Sequence, residues 1–240
     1  MKTVSIIQSN YIPWKGYFDI INDSDLFVFY DDVQYTKNDW RNRNKIKTRN
    51  GASWLTIPVG SKFDRLIHEV EINDRTWQTK HWKTLSLEYK DAPYFNMYKD
   101  FFRYIYFDIE WTNLSILNQY LIKHISREFL GINTTFKSSL EFNSHGQKLD
   151  KLIDILIQAE ADVYISGPAA KNYIDEKIFI DSGIKLVYKN YNSYPEYPQF
   201  HPPFEHGVTI LDLLFQVGPE APYYIWGWRQ ESKESLKNIR

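Results

Sequence analysis

The chain has 240 residues and balances 29 Lys and Arg against 30 Asp and Glu, so its net charge of -1 is not the footprint of a general nucleic-acid binder. With no cysteine there is no disulfide framework, no thiolate metal site, no iron–sulfur cluster and no cysteine nucleophile. Aromatic residues make up 17%, including 18 Tyr and 8 Trp, in a chain of mean hydropathy -0.50; that many amphipathic rings suit a site for a sugar, a base or another polar ligand.

Residues 3–7 open the chain as a strand, with no charged segment, apolar run and cleavage site ahead of them. Apolar stretches are broken by Asp, Asn or Lys well before membrane-spanning length, so the expectation is a cytoplasmic protein with no membrane span. Residues 16–23 place Phe18, Ile20 and Ile21 on one helical face, and residues 26–30 form a second apolar strand, which together outline a βαβ unit. Residues 54–59 and 67–72 read as strands, the first at an edge because of Pro58. Residues 77–130 read as a helical insertion, clearest at 113–130, where Leu114, Leu117, Leu121, Ile125 and Phe129 recur at helical spacing and Gly131 ends the run.

A second βαβ outline follows. Leu149, Leu152, Ile153, Leu156 and Ile157 stripe a helix over 145–160. Val163 to Ile165 is a strand, Ser166 to Pro168 a turn, 169–176 a short helix and 184–188 another strand. Residues 191–203 hold four Pro and three Tyr and read as an ordered loop; 208–215 is an amphipathic helix carrying Asp212, either a paired core carboxylate or a site residue. The expected architecture is one α/β domain over residues 1–230, a Rossmann-like and mostly parallel sheet with the helical insertion at about 77–130, followed by a polar tail at 231–240.

Chemistry concentrates where strands end. Directly after the first strand, Gln8 and Asn10 offer donors and acceptors, Trp14 and Tyr17 offer rings to stack on, and Gly16 permits a close backbone approach. The competing reading is a turn shaped by Pro13 and Gly16 with aromatics filling the core. Asp31 and Asp32 end the second strand; Asp32 is the candidate to orient an amine or hold Mg²⁺, against a solvated strand end. Residues 36–49 carry six basic side chains against one acid, and Lys37, Asn42 and Arg43 are candidates to clamp a diphosphate, against a merely solvated basic loop. Single-stranded nucleic acid is a further reading of this stretch, with a thin stacking platform because only Trp40 interleaves.

Two histidines compete as general base. His81 sits between Trp77 and Trp82, surroundings that favour a neutral imidazole, and His145 follows Ser144, which has the chemistry to cap the next helix and leave backbone N–H groups for an anion. Ser166 and Gly167 lie at a strand end before a helix and suit a phosphate or an oxyanion; the frame of a nucleophilic serine is lacking. His201, Glu205 and His206 are separated by prolines that prevent helical ligand spacing, so no metal site is expected.

The segments 8–18, 31–35, 42–44, 54–59, 164–167 and 210–215 together resemble the WbqC-like family over nearly the whole chain. The resemblance implies a place in bacterial O-antigen or other surface-polysaccharide (lipopolysaccharide) assembly, in pathways that build acylated amino sugars, and it assigns no catalytic residue. Residues 13–17 are also similar in location to the His-x-Gly-His signature of nucleotidylyltransferases, with Trp14 and Tyr17 standing in place of both histidines.

The expected function is that of a transferase passing an acyl or aminoacyl group to the amine of a nucleotide-linked amino sugar. No P-loop is present to activate the donor, so it would arrive as a coenzyme A or acyl-carrier-protein thioester, with no tightly bound cofactor. The alternatives are a nucleotidylyltransferase-like enzyme using Asp32 and Mg²⁺, and a non-catalytic sugar-binding or scaffolding subunit.

Overall fold

Short runs of β-branched and aromatic residues pair into a five-stranded parallel sheet in the computed structural model, which describes residues 1–62, 64–172 and 174–229. The polar tail expected at 231–240 lies outside the described residues. Strands β1 (Thr3–Ile7), β2 (Leu26–Phe29), β5 (Thr135–Ser138), β6 (Val163–Ser166) and β7 (Lys185–Tyr188) lie in the order β5-β2-β1-β6-β7. Every pairing in this sheet is parallel, so each strand must be reached by a crossover, and helices end up on both faces. The result is an α/β fold. From β1 the chain builds outward through β2 to β5, then returns to the other side of β1 for β6 and β7. That reversal leaves a crevice outside the carboxyl ends of β1 and β6.

Alternation along the central strands divides the core. Val4, Ile6, Leu26 and Val28 face one way, against Ile153 and Leu156 of α5 (Lys148–Gln158) and Phe179 of α6 (Glu176–Asp181). Phe27 and Phe29 face the other way, against Phe18, Ile20 and Ile21 of α1 (Lys15–Asn22) and into the insertion. Both phenylalanines are fully buried, a contribution of roughly 2–3 kcal/mol each.

Between β2 and β5 the chain makes a long excursion. Strands β3 (Arg43–Thr48) and β4 (Gly51–Thr56) pair antiparallel, and helices α2 (Thr76–Tyr89), α3 (Phe95–Phe107) and α4 (Leu114–His124) follow. The α4 helix runs on into a wider π-helical turn at Ile125–Phe129, and Gly131 turns away with a φ of +65°. Helix α7 (Ile210–Val217) packs between this insertion and the sheet domain's core, buried along its whole length.

Several sequence expectations are corrected. Residues 67–72 are not a strand: Ile67–Glu69 is a single 3₁₀ turn, and Glu71 makes one bridge to Asn113. Their apolar content reflects burial of Ile67, Val70 and Ile72 in the core of the insertion. The strand expected at 54–59 begins earlier, at Gly51, and ends before Pro58, which has no N–H to donate. The stretch read as a basic loop holds strand β3. After β6, residues Pro168–Asn172 form a 3₁₀ turn, and the helix proper starts at Glu176, where the Asp175 carboxylate accepts the Lys177 N–H at 3.0 Å.

Candidate functional site

The crevice at the carboxyl ends of β1 and β6 widens into a cavity of about 680 Å³. Gln8 comes from the end of β1; Tyr164, Ser166 and Gly167 come from β6 and the turn after it; Lys148, Leu149 and Leu152 come from the start of α5. Tyr17, Tyr30, Tyr191 and Trp14 supply aromatic walls. A size of this order and a largely apolar lining with a few polar groups suit a small-molecule ligand. Tyr17 donates its hydroxyl to the Gln8 carbonyl at 2.9 Å, which fixes the ring, and burial pushes its phenol well above the ordinary range. Ser166 is 5% exposed, and its hydroxyl makes no hydrogen bond among the described residues, while its carbonyl accepts the Lys189 N–H at 2.8 Å. Lys148 opens α5 at a φ of +51°, a left-handed conformation that costs energy in a residue with a β carbon.

Trp14 is the wall between this cavity and a smaller one of about 270 Å³, bounded by Asn10, Pro13, Trp14, Trp40, Asn44 and Gly207. The indole is packed edge-on to Tyr191 at 5.0 Å and to Tyr194 at 6.0 Å. It also lies directly on Gly16, where a β carbon would stand 2.2 Å from the ring. Gly16 therefore serves the site through its neighbour: it makes room for Trp14.

The turn between β1 and α1 is held in an unusual shape. Ile12 has a φ of +41°, an outlier for a β-branched side chain. Asn44 of β3 holds it, donating its amide to the carbonyls of Ile12 at 2.7 Å and of Tyr11 at 3.1 Å. The Oδ1 of Asn10, in the same turn, is buried with no hydrogen-bond partner among the described residues.

The basic stretch divides by strand alternation. Asn42 is buried and donates to the Ile57 carbonyl at 2.9 Å, so its amide N–H groups are committed to the fold. Arg43 and Lys45 face outward over Trp54, with their cationic groups 4.1 and 5.2 Å from the ring centroid. Trp54 in turn lies 5.3 Å from Trp40, and both rings are about 40% exposed. Lys37 is exposed ahead of the hairpin and lines neither cavity.

The acidic and imidazole candidates lie elsewhere. Asp31 and Asp32 have separate sets of partners. Asp31 is fully buried and accepts the Ser9 N–H at 2.8 Å together with Ser115 and Gln119, tying β2 to α4. Asp32 pairs with Lys151 of α5 at 2.5 Å and accepts the Ser139 hydroxyl at 2.6 Å. His81 is 4% exposed, its Nδ1 against the Tyr11 hydroxyl at 2.9 Å and its Nε2 against the Thr56 carbonyl at 3.1 Å. Burial pushes the imidazole down to about 4, so it is neutral, and both ring nitrogens are engaged. His145 is exposed, three residues before Lys148, and its N–H goes to Asp154 at 2.7 Å, so it is not free for an anion. Ser144 does not cap α5; Gln147 occupies that position without a side-chain bond.

Two buried carboxylates flank the site from the core. Asp19 meets both guanidinium nitrogens of Arg229 at 2.9 and 2.6 Å, Lys189 at 2.7 Å and the Tyr194 hydroxyl at 2.5 Å. Asp212 accepts from Tyr89, Tyr197 and Gln199, and burial raises its pKa. Both are core residues that no sequence spacing links to their partners. Lys15, under the rings of Tyr194, Tyr197 and Phe204, is lowered to about 8 by burial despite the nearby Asp212 and Glu196. Sequence reasoning found Gln8, Trp14, Tyr17, Ser166 and Gly167 at the large cavity, but missed Tyr30, Lys148, Tyr164 and Tyr191. The rule that α/β sites sit at strand ends would have reached Tyr30, which directly follows β2; only the sheet order reaches Lys148, Tyr164 and Tyr191.

Among the described residues no helix is long and apolar enough to cross a membrane, and no group of three or more His, Asp or Glu is placed to hold a metal ion. No solved structure matches the chain. It is 44% identical to an uncharacterized protein of Mycobacterium tuberculosis over 232 residues, which cover 96% of this chain and the whole of that protein. The pattern of the WbqC-like protein family matches residues 8–224, from the cavity-lining Gln8 to beyond α7, and the chain belongs to that family.

Proposed function

We propose that this protein is a cytoplasmic transferase of bacterial surface-polysaccharide assembly, passing an acyl or aminoacyl group to the amine of a nucleotide-linked amino sugar. The observation that carries the reading is the pair of cavities sharing Trp14 as their common wall at the switch point of the sheet, a layout suited to a ligand of two unlike parts. The large cavity takes the nucleotide, its rings against Tyr17, Tyr164 and Tyr191 and a phosphate at Ser166 and Gly167. The unpartnered Ser166 hydroxyl and the exposed Lys148 ammonium are the groups suited to that anion.

The donor arrives as a thioester on coenzyme A or on an acyl carrier protein. In the reaction the amine nitrogen attacks the thioester carbonyl, the C–N bond forms and the C–S bond breaks. The thiolate departs and is protonated, and the amine proton passes to a base. Of the two histidines considered, His145 is the one we assign as base: it is exposed and lies three residues before the cavity-lining Lys148, whereas both nitrogens of His81 are bound within the fold. Asp32 has no part in this scheme because Lys151 and Ser139 occupy its carboxylate.

The test is thiol release from acetyl-coenzyme A and from acyl carrier protein thioesters, with uridine- and thymidine-diphosphate-linked amino sugars as acceptors. Release that requires an amino sugar, and slows strongly in His145→Ala, supports the reading. Binding of nucleotide sugars without release from any thioester replaces it with a non-catalytic binding subunit. Pyrophosphate release from a nucleoside triphosphate and Mg²⁺ replaces it with nucleotidyl transfer.

A further inference from the structure

We propose that the smaller cavity, bounded by Asn10, Pro13, Trp14, Trp40, Asn44 and Gly207, is a pyranose subsite whose occupant is a sugar bearing a phosphate. The subsite deepens the reading above, because it places the sugar half of the ligand on the far side of Trp14 from the nucleotide.

Its size of about 270 Å³ is that of a single sugar ring with its substituents rather than of a nucleoside. Two indoles, Trp14 and Trp40, wall it, and two amides, Asn10 and Asn44, line it. Ring faces that meet the C–H side of a sugar, with the unpartnered Asn10 amide oxygen to meet a hydroxyl, form the complementary chemistry for a pyranose, while the Asn44 amide, bound to Tyr11, Ile12 and Lys45, shapes the wall. Neither a metal ion nor an acyl chain calls for that combination.

Two further observations mark this cavity as more than a gap in packing. The Asn10 Oδ1 is buried and has no partner among the described residues, an acceptor whose desolvation is uncompensated until a ligand hydroxyl or amine donates to it. The turn that carries Asn10 also holds Ile12 at a φ of +41°, locked by the Asn44 amide that itself lines the cavity. Strain of this kind in a β-branched residue persists only where the surroundings enforce it, and it concentrates at binding sites.

The phosphate follows from what lies beyond Trp40. Its indole meets Trp54 at 5.3 Å, and Arg43 and Lys45 hold their charges over Trp54. The Nε of Arg43 is buried without a hydrogen-bond partner among the described residues. Arg43 and Lys45 do not line the cavity, but a substituent that leaves the pyranose past Trp40 and reaches Trp54 comes to the two cations stacked there, and an anionic substituent is favoured on that path over a neutral one.

The experiment is a calorimetric or tryptophan-fluorescence titration of the full chain with three kinds of probe: glucosamine-1-phosphate, UMP or dTMP, and UDP- or dTDP-glucosamine. It is repeated on Trp40→Ala, Trp40→Phe, Asn10→Ala and Ser166→Ala. Trp40 is exposed, so its replacement leaves the fold intact, and an unchanged unfolding midpoint verifies that. Trp40→Ala and Asn10→Ala are expected to weaken the sugar phosphate and the nucleotide sugar about tenfold, while the nucleoside monophosphate is unaffected and Trp40→Phe restores most of the loss. Ser166→Ala is expected to show the reverse pattern, weakening the monophosphate and sparing the sugar phosphate. If Trp40→Ala leaves sugar-phosphate affinity unchanged, or weakens the monophosphate equally, the subsite assignment is wrong. The same holds if the wild-type chain binds no sugar phosphate. If the sugar phosphate binds and depends on Trp40 while neither nucleotide probe binds, the subsite stands and it is the nucleotide reading that fails.

Discussion

The indole of Trp14 rests on the α carbon of Gly16, so close that a β carbon at residue 16 would stand 2.2 Å from the ring. The same indole divides the two cavities. A residue two positions away, inside α1, thus sets the partition of the site. Replacing Gly16 with Ala forces the indole out of its place between the cavities. We expect a destabilisation of about 1–3 kcal/mol, the usual cost of overpacking. The larger effect is on ligand affinity at both cavities. Near-ultraviolet circular dichroism and ligand-induced shifts in the unfolding midpoint measure the two effects separately. An unaltered aromatic spectrum would show that Trp14 does not depend on Gly16.

Asp19 is a fully buried carboxylate among two cations and a tyrosine hydroxyl, drawn from residues 170 to 210 positions away in the chain. Removing its charge leaves Lys189, itself only 7% exposed, with the half-exposed Asp23 as its remaining carboxylate partner. Asp19→Asn is expected to lower stability by about 3 kcal/mol, the low end of the penalty for breaking a buried pair from one side, because Asp23 still meets Lys189. Arg229→Ala should cost distinctly less, because Arg229 is more exposed and Lys189 still neutralises Asp19. Urea unfolding decides it: the midpoint of the Asp19 variant should fall with the slope unchanged. Equal losses in the two variants would contradict the ranking.

How much of this was legible beforehand varies with how local the signal is. Strands β1, β2, β6 and β7 announce themselves as apolar, β-branched or aromatic runs, and α5 by its stripe of Leu and Ile. The order of the sheet is a statement about residues far apart, yet the two βαβ outlines already restrict it. Strand β3 was hidden because Arg43, Lys45 and Lys47 dominate its composition, although Asn44 and Ile46 between them form a period of two. Strand β5 is four residues at the sheet edge, too short and polar to stand out. Conversely Ile67, Val70 and Ile72 looked like a strand because burial in the insertion demands apolar residues whatever the backbone does. The site shows the same division. Gln8, Trp14, Tyr17, Ser166 and Gly167, singled out because they lie at or after the ends of β1 and β6, all line the large cavity. The place of Trp40 and Asn44 beside Asn10 rests on a hairpin packing against a turn some thirty residues earlier, which no spacing rule reports.

His81 gives stability a pH dependence of definite sign. Its imidazole is pushed from an ordinary 6.5 down to about 4, mainly by burial. The unfolded chain therefore takes up a proton at His81 in a range where the folded chain does not, and stability from this group falls as pH drops from about 6.5 to about 4. Over that window the loss is on the order of 3 kcal/mol, and it levels off below it. His81→Gln, which keeps a donor and an acceptor for Tyr11 and Thr56, should flatten the dependence in this window. Direct titration of the imidazole by nuclear magnetic resonance is the independent readout. An imidazole that titrates near 6.5 in the folded protein would remove the effect.

Ser166 separates the needs of the fold from those of the ligand. Its hydroxyl makes no hydrogen bond among the described residues, whereas its backbone carbonyl anchors Lys189 and its strand pairs with β7. Ser166→Ala removes only the hydroxyl, so stability should stay within about 0.5 kcal/mol of the wild type. If the hydroxyl meets the ligand's phosphate, as proposed, the variant loses a hydrogen bond to a charged group. Such bonds are worth about 1.5–3 kcal/mol, a weakening of roughly tenfold or more. Titration of the unfolding midpoint with UMP and dTMP reads affinity and stability from the same samples. A variant with wild-type affinity would move the phosphate away from the end of β6, toward Lys148 at the start of α5, where Lys148→Ala would then carry the loss.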